Sequence, residues 1–202
     1  MPYPSKTNSK AILAVAAAQL ATGGIRDLSL RNVAASLGLA SNAIYRYFPD
    51  RAALEVALAN EASDQLEMDL RKAANSRSPQ KAIRQMASAY AAFAKNHRHL
   101  YELLMSHRAP EHDATPRHSL WLFTLEQVQQ VTGEKRAPEA AVALWAFLHG
   151  AAALEANQVF GERKPASGLR FGLDAWLLAA SSTEDAASNQ ALSGVGSPKP
   201  SL

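Results

Sequence analysis

The chain has no cysteine among its 202 residues. That absence excludes a disulfide framework and zinc sites built on thiolates, and it fits a cytoplasmic location. β-Branched aliphatics are scarce, with eight Val and four Ile against 41 Ala. Strands draw on β-branched and aromatic residues and helices on Ala and Leu, so the balance argues against a large sheet. The ten Gly and ten Pro are near ordinary usage, which sets aside collagen-like and low-complexity chains. Long apolar runs are also few. Residues 11–21 and 140–154 are the two that invite a targeting or membrane reading. Gln19 breaks the first, and Ile12, Ala16 and Leu20 share one helical face; the second is short for a bilayer and holds His149. No membrane contact is expected.

Catalytic signatures are missing as well. No Gly-x-Gly-x-x-Gly, Walker-type, Gly-x-Ser-x-Gly or His-Glu-x-x-His pattern occurs, and no paired carboxylates stand out. Ser78-Pro79-Gln80-Lys81 matches Ser-x-x-Lys formally, but its companion motifs are absent and Pro79 marks a helix start. His97, His99, His107, His112 and His118 cluster in sequence without the i, i+4 spacing of a helical metal site, and the polar, proline-bearing stretch 107–118 reads as a solvated loop. The expectation is a protein that is not an enzyme and uses neither cofactor nor metal.

What is present is helix and a lopsided charge. The formal net charge is +3. Residues 1–52 hold six Lys/Arg against Asp27 and Asp50, a net +4, and the remainder carries a net −1. The excess hints at a polyanionic partner for the first quarter. Caps and breakers predict about nine helices: from Asn8 or Ser9 to about Thr22, ended by Gly23-Gly24; 30–37 behind Ser29; 41–48; a long one from Asp50 to about Asn75; 79–96; 97–106; 116–131; 138–160; and 167–181. Polar loops are expected over 108–115 and 161–166, with a disordered Ser/Ala/Gly/Pro tail from 182.

Residues 29–48 read SLRNVAASLGLASNAIYRYF. Two short helices meet at Gly38, with small Ala34 where they touch and Leu39, Ile44 and Phe48 as apolar anchors. The second helix then exposes Ser41, Asn42, Ala43, Tyr45, Arg46 and Tyr47. Ser, Asn and Arg read base edges in the major groove, Ala and aromatics pack on thymine methyls, and hydroxyls suit phosphates. Arg51 adds charge beside the amides that open the next helix.

The stretch 11–58 resembles the DNA-binding domain of TetR-type transcriptional regulators. The resemblance is carried by Ile12 to Leu20, Gly24, Leu30-Arg31-x-Val33-Ala34, Gly38-Leu39-Ala40-Ser41 and Ile44-Tyr45-Arg46-Tyr47-Phe48-Pro49-Asp50-Arg51-x-x-Leu54. Arg51 stands where the family often has Lys, with the charge kept. Downstream, Trp145-Ala146-Phe147-Leu148-His149-Gly150 resembles the Trp-x-x-x-His-Gly signature of one group of TetR-type regulatory domains. His97 to Met105 resembles an earlier segment of that group, with Arg98 where Pro is usual. The resemblance implies an all-α protein: a three-helix, helix-turn-helix DNA-binding domain followed by a helical ligand-binding and dimerisation domain. It implies a homodimer that binds operator DNA, most often as a repressor, and lets go when a small effector binds. The alternatives are an activator or an architectural DNA-binding protein of the same fold, or a helical small-molecule-binding protein whose helix-turn-helix is only structural.

The expected layout is an arm over 1–8, a DNA-binding domain over 9–52, a regulatory domain over 53–181 and a tail over 182–202. The expected DNA-facing residues are Ser29, Arg31, Ser41, Asn42, Ala43, Tyr45, Arg46, Tyr47 and Arg51. Large side chains after the first domain are candidates for an apolar effector pocket: Tyr90, Phe93, Tyr101, Met105, Trp121, Trp145 and His149, with Phe123 beside them. For each the plain alternative is a core position. His149, an ionisable group in an apolar helix, needs a buried partner or a ligand. Residues 138–160 are apolar nearly all round, which calls for cover on more than one side by a core, a pocket or a second subunit.

Overall fold

The computed structural model describes residues 7–106, 115–161 and 166–182. All but the first residue of the expected tail, nearly all of the loop over 108–115, most of the loop over 161–166 and the start of the arm lie outside them. Among the described residues there are nine helices and no strand. They are α1 (Ser9–Asp27), α2 (Leu30–Ser36), α3 (Ser41–Tyr45), α4 (Arg51–Ala73), α5 (Pro79–Asn96), α6 (Arg98–Ser106), α7 (Pro116–Thr132), α8 (Ala137–Ala156) and α9 (Ala166–Ser181).

Side-chain caps start these helices where the sequence offers them. Asn8 Oδ1 accepts from the Ala11 amide at 2.8 Å and Asp50 Oδ1 from Ala53 at 2.7 Å. Ser29, Ser78 and Thr115 cap α2, α5 and α7 in the same way. Three helix ends differ from expectation. α1 runs to Asp27, interrupted at Gly24, whose φ of 68° only glycine adopts at little cost. The His99 ring of α6 lies 3.4 Å from where a Cβ on Gly24 would stand. α3 ends at Tyr45 rather than Phe48, because Phe48 precedes Pro49, whose ring disfavours a helical residue before it. α8 stops at Ala156, four residues early: Asn157 Nδ2 turns back onto the Ala153 carbonyl at 2.9 Å, and Gln158 takes a left-handed φ of 51°.

Two cores form. The first joins Ile12, Ala16 and Leu20 of α1, Val33 and Ala34 of α2, Ile44 of α3 and Leu54 and Leu58 of α4. The second gathers Leu66 and Leu70 of α4 with Ile83, Phe93, Leu104, Leu120, Leu144 and Leu173 from α5 to α9. At about 1.5 Å per residue, the 23 residues of α4 reach about 35 Å, enough to serve both cores. The shorter α6 also serves both: Leu103 is buried in the first, Tyr101 and Leu104 in the second.

The last helix is held by polar ties. Trp176 Nε1 donates to the Ala140 carbonyl at 3.1 Å, and Arg136 Nη2 donates to the Ala179 carbonyl at 2.9 Å near the C-terminus of α9. Arg84 of α5 pairs with Asp174. Gly172 lets α9 touch Phe147, since a Cβ there would overlap the ring. On the outer side of α8 and α9, Val142, Phe171 and Leu178 stay uncovered, the last two 77% and 75% exposed.

Leu103→Ala should lower stability by about 2–5 kcal/mol in urea unfolding, as for other core leucines. Because Leu103 ties α6 to the first core, hydrogen exchange should speed up in α1 as well as α6. Arg136→Ala should cost about 1 kcal/mol and show its largest gain in exchange at the end of α9, whose carbonyls lose a charged donor.

Candidate nucleic-acid interface and regulatory cavity

The helix-turn-helix begins with Ser29, whose hydroxyl accepts from the Asn32 amide at 3.1 Å and is thereby a cap. Gly38, at φ 65°, makes the turn, and Leu39 N donates back to the Ala34 carbonyl at 2.9 Å. Ile44 and Phe48 are buried and fix α3 on the first core. That pinning leaves Asn42, Tyr45 and Arg46 exposed, Tyr45 by 51%, with Ser41 and Ala43 half-buried beside them. Arg31 is exposed on α2. The Arg46 guanidinium sits 5.9 Å from the Tyr47 ring centre.

Two residues of the expected DNA-facing set have work inside the chain. Tyr47 is half-buried and its hydroxyl donates to the Thr7 carbonyl at 2.8 Å, tying the start of α1 to the end of α3. Arg51 donates through Nε to Glu55 Oε1 at 2.6 Å and through Nη2 to the Ile25 carbonyl at 2.5 Å. It clamps the α1–α2 corner to α4 while leaving its charge at that surface. Neither contact was legible in sequence, because Thr7 and Ile25 lie 40 and 26 residues away.

In the second core a polar chain crosses between α5, α6 and α8. The Tyr90 and Tyr101 hydroxyls are 2.8 Å apart, and the Tyr101 hydroxyl is 2.6 Å from His149 Nδ1. Burial pushes the Tyr90 phenol far above its usual range, and the neighbouring Tyr101 adds to the effect. Burial raises Tyr101 too, while its hydrogen bond with Tyr90 pulls it down. The imidazole has its partner in the Tyr101 hydroxyl. Aromatic edges surround the chain: Tyr101 meets Tyr90 at 5.8 Å, and Trp145 meets Tyr90 and Trp121 at 6.3 Å each.

Beside this chain lies a small apolar cavity of about 30 Å³, lined by Leu66, Ile83, Met86, Tyr90, Trp145 and Leu148 among others. Of the seven expected pocket residues, Tyr90 and Trp145 line it. Tyr101 and His149 stand behind it in the polar chain. Phe93 stacks on His97 at 5.0 Å, and Met105 and Trp121 pack on the core without reaching the cavity. Phe123 is buried under the Arg71 guanidinium at 4.2 Å. The aliphatic lining from α4 and α5 was missed in sequence; its only signal is the i, i+4 spacing of Leu66 and Leu70, which any core helix shares.

A second depression is larger, about 440 Å³, and open to solvent. It lies between the end of α5 and the last turns of α8 and is lined by Ala91, Ala94, Lys95, Arg98, Ala152 and Phe160 among others. None of these belongs to the expected pocket. Glu102 beside it would be raised by burial alone, but Arg98 and His99 more than offset that and hold it below its usual range. Among the described residues no three His, Asp or Glu converge as metal ligands. α8 is the one described helix long and apolar enough to cross a bilayer by length and composition, yet it holds Glu139, His149 and Glu155 and sets Ala141, Leu144 and Leu148 into the second core.

Comparison with known proteins follows the same two-core division. Residues 12–58 match bacterial regulatory proteins of the tetR family, and residues 83–175 match the tetracyclin repressor-like C-terminal domain. A protein of unknown function from Rhodococcus sp. RHA1 is 26% identical, with a TM-score of 0.77 over 90% of this chain and 100% of its own. A TetR transcriptional regulator from Streptomyces coelicolor shares the fold at 20% identity, TM-score 0.68, over 87% of this chain and 98% of its own. A TetR variant from Acinetobacter baumannii AYE, solved in complex with minocycline, does so at 18% identity and TM-score 0.64, over 86% and 96%. The search of curated proteins finds no match. With one core matched by the tetR DNA-binding family and the other by its regulatory domain, the chain belongs to the TetR-type transcriptional regulators.

Proposed function

We propose that this regulator acts in the cytoplasm as a repressor: a homodimer that binds a palindromic operator and is released by a small, largely apolar effector. The observation that carries the reading is the presentation of α3. Its buried Ile44 leaves Asn42, Tyr45 and Arg46 exposed on a rigid three-helix core. The net +4 of residues 1–52 supplies the attraction to phosphates. Within that set Asn42, Tyr45 and Arg46 face bases, Ser41 and Ala43 pack at the groove, and Arg31 and Arg51 supply backbone charge. Ser29 and Tyr47 act chiefly by holding α2 and α3 in place.

Two further observations support the dimer and the effector. The apolar Val142, Phe171 and Leu178 on the outer side of α8 and α9 are costly to leave in water and suit an isologous pairing of those helices. The Tyr90–Tyr101–His149 chain runs through α6, which is also packed in the first core, so a ligand that displaces Tyr101 strains Leu103. A fold relative solved with minocycline is consistent with a small-molecule input.

Gel shifts against the DNA upstream of its own gene test the reading directly. Binding should weaken steeply with salt, and Asn42→Ala or Tyr45→Ala should cost about 1–3 kcal/mol of operator affinity with little change in melting temperature. Arg51→Ala should weaken binding to all sequences alike and also lower stability. Operator binding that survives Tyr45→Ala and Arg46→Ala together sinks the assignment. By light scattering the wild type should run at twice 21.7 kDa, and the double variant Phe171→Glu, Leu178→Glu at the monomer mass with operator affinity lost. A wild type that is monomeric at full operator occupancy contradicts the dimer.

A further inference from the structure

The inner cavity is too small for an effector as it stands. Its volume of about 30 Å³ is a small fraction of the roughly 300–1,000 Å³ usual for small-molecule sites. Its polar neighbours are already satisfied: Thr124 Oγ1 donates to the Leu120 carbonyl at 2.8 Å, and Tyr90 is bound to Tyr101. The open groove at the end of α5 has about 440 Å³, inside the roughly 300–1,000 Å³ usual for small-molecule sites. We propose that this groove seats the effector, and that the effector is a carboxylate-bearing amphiphile. Lys95 and Arg98 hold its carboxylate, and its apolar chain lies on Ala94, Ala152 and Phe160. The proposal rests on the effector-responsive reading above and names the chemical class.

Helix register connects the groove to the polar chain. Ala94 follows Tyr90 by one turn on α5, Ala152 follows His149 by one turn on α8, and Tyr101 follows Arg98 by one turn on α6. Three lining residues thus stand one turn from the three members of the Tyr–Tyr–His chain. A ligand in the groove presses on the three helices whose spacing that chain sets.

Charge favours an anion. Two cations, Lys95 and Arg98, line the groove against one acid, Glu155, with Glu102 beside Arg98 outside the lining. Lys95 is 72% exposed along its side chain and meets Glu155 at 3.8 Å, an exposed contact that contributes little in water. A ligand carboxylate displaces Glu155 from Lys95 at small cost. Arg98 is bound to Glu102 at 3.0 Å along α6 and keeps its charge at the rim. The floor is apolar, with Leu154 and Phe160 exposed there, so an alkyl or aryl body gains by covering them.

The test uses decanoate, decan-1-ol and decylamine on the full chain without DNA, read by tryptophan fluorescence and calorimetry. Decanoate should bind about tenfold more tightly than either of the others, and Lys95→Gln, Arg98→Gln together should remove that advantage while leaving decan-1-ol unchanged. Ala152→Trp, which fills the groove, should weaken all three. Equal affinity for decanoate and decan-1-ol, no effect of the double variant, or no binding overturns the proposal. Gel shifts with and without decanoate separate the two readings. Release of operator by decan-1-ol with no preference for decanoate removes the groove proposal alone. Selective decanoate binding that leaves the operator complex intact supports the site and removes the effector-released repressor.

Discussion

Burial of α6 in two cores at once is the constraint on which the rest of this molecule depends. Nine residues long, α6 is too short to be a stable helix alone, and it gains its order from packing. Leu103 goes to the core that positions α3, while Tyr101 and Leu104 go to the core that holds the cavity. His99, against Gly24 at the break in α1, adds a second contact on the same side. Arg117 of α7 donates to the Leu104 carbonyl and secures the far end. Tyr101 and Leu103 stand two residues apart in this short helix, so the seat of one constrains the seat of the other, since packed interiors yield little.

The regulatory half combines a packed interior with one polar chain inside it. A buried hydroxyl or imidazole is costly unless bonded, and Tyr90, Tyr101 and His149 satisfy one another. Such a chain fixes the spacing of α5, α6 and α8 more narrowly than apolar contact does, because hydrogen bonds fail within a few tenths of an ångström of misplacement. The groove proposed above as the effector seat lies one helical turn from each of its three members. The exposed Val142, Phe171 and Leu178 of α8 and α9 are not among the residues lining the cavity or the groove.

Much of the fold was legible because its signals are local. Ser29, Asp50, Ser78 and Pro116 start helices by capping or by fixed φ, and these effects need only a few neighbouring residues. The break at Gly24 was legible as well, though α1 resumes beyond it to Asp27. The end of α3 was misjudged by three residues, where the constraint of Pro49 on Phe48 outweighs the apolar pattern. The early end of α8 had no signal beyond Asn157, an ordinary helix-surface residue until its side chain folds back. The pocket was harder to read. Size and aromaticity picked out Tyr90 and Trp145, which line the inner cavity, together with Phe93 and Phe123, which pack in the core away from it.

Composition and short-range pattern by themselves determined that this chain is helical, that a helix-turn-helix lies at 29–48 with the positive charge beside it, and that the second part is alanine-rich and close-packed. Those properties follow from propensity, capping and periodicity, which act within a turn or two of helix. Only the tertiary structure decided that Tyr47 and Arg51 hold the DNA-binding unit together, that Tyr101 binds His149 from 48 residues away, and that Lys95 and Arg98 border an open groove while the inner cavity is small. The reason is physical: each depends on which helix faces meet across the bundle, and that is set by packing between segments far apart in sequence.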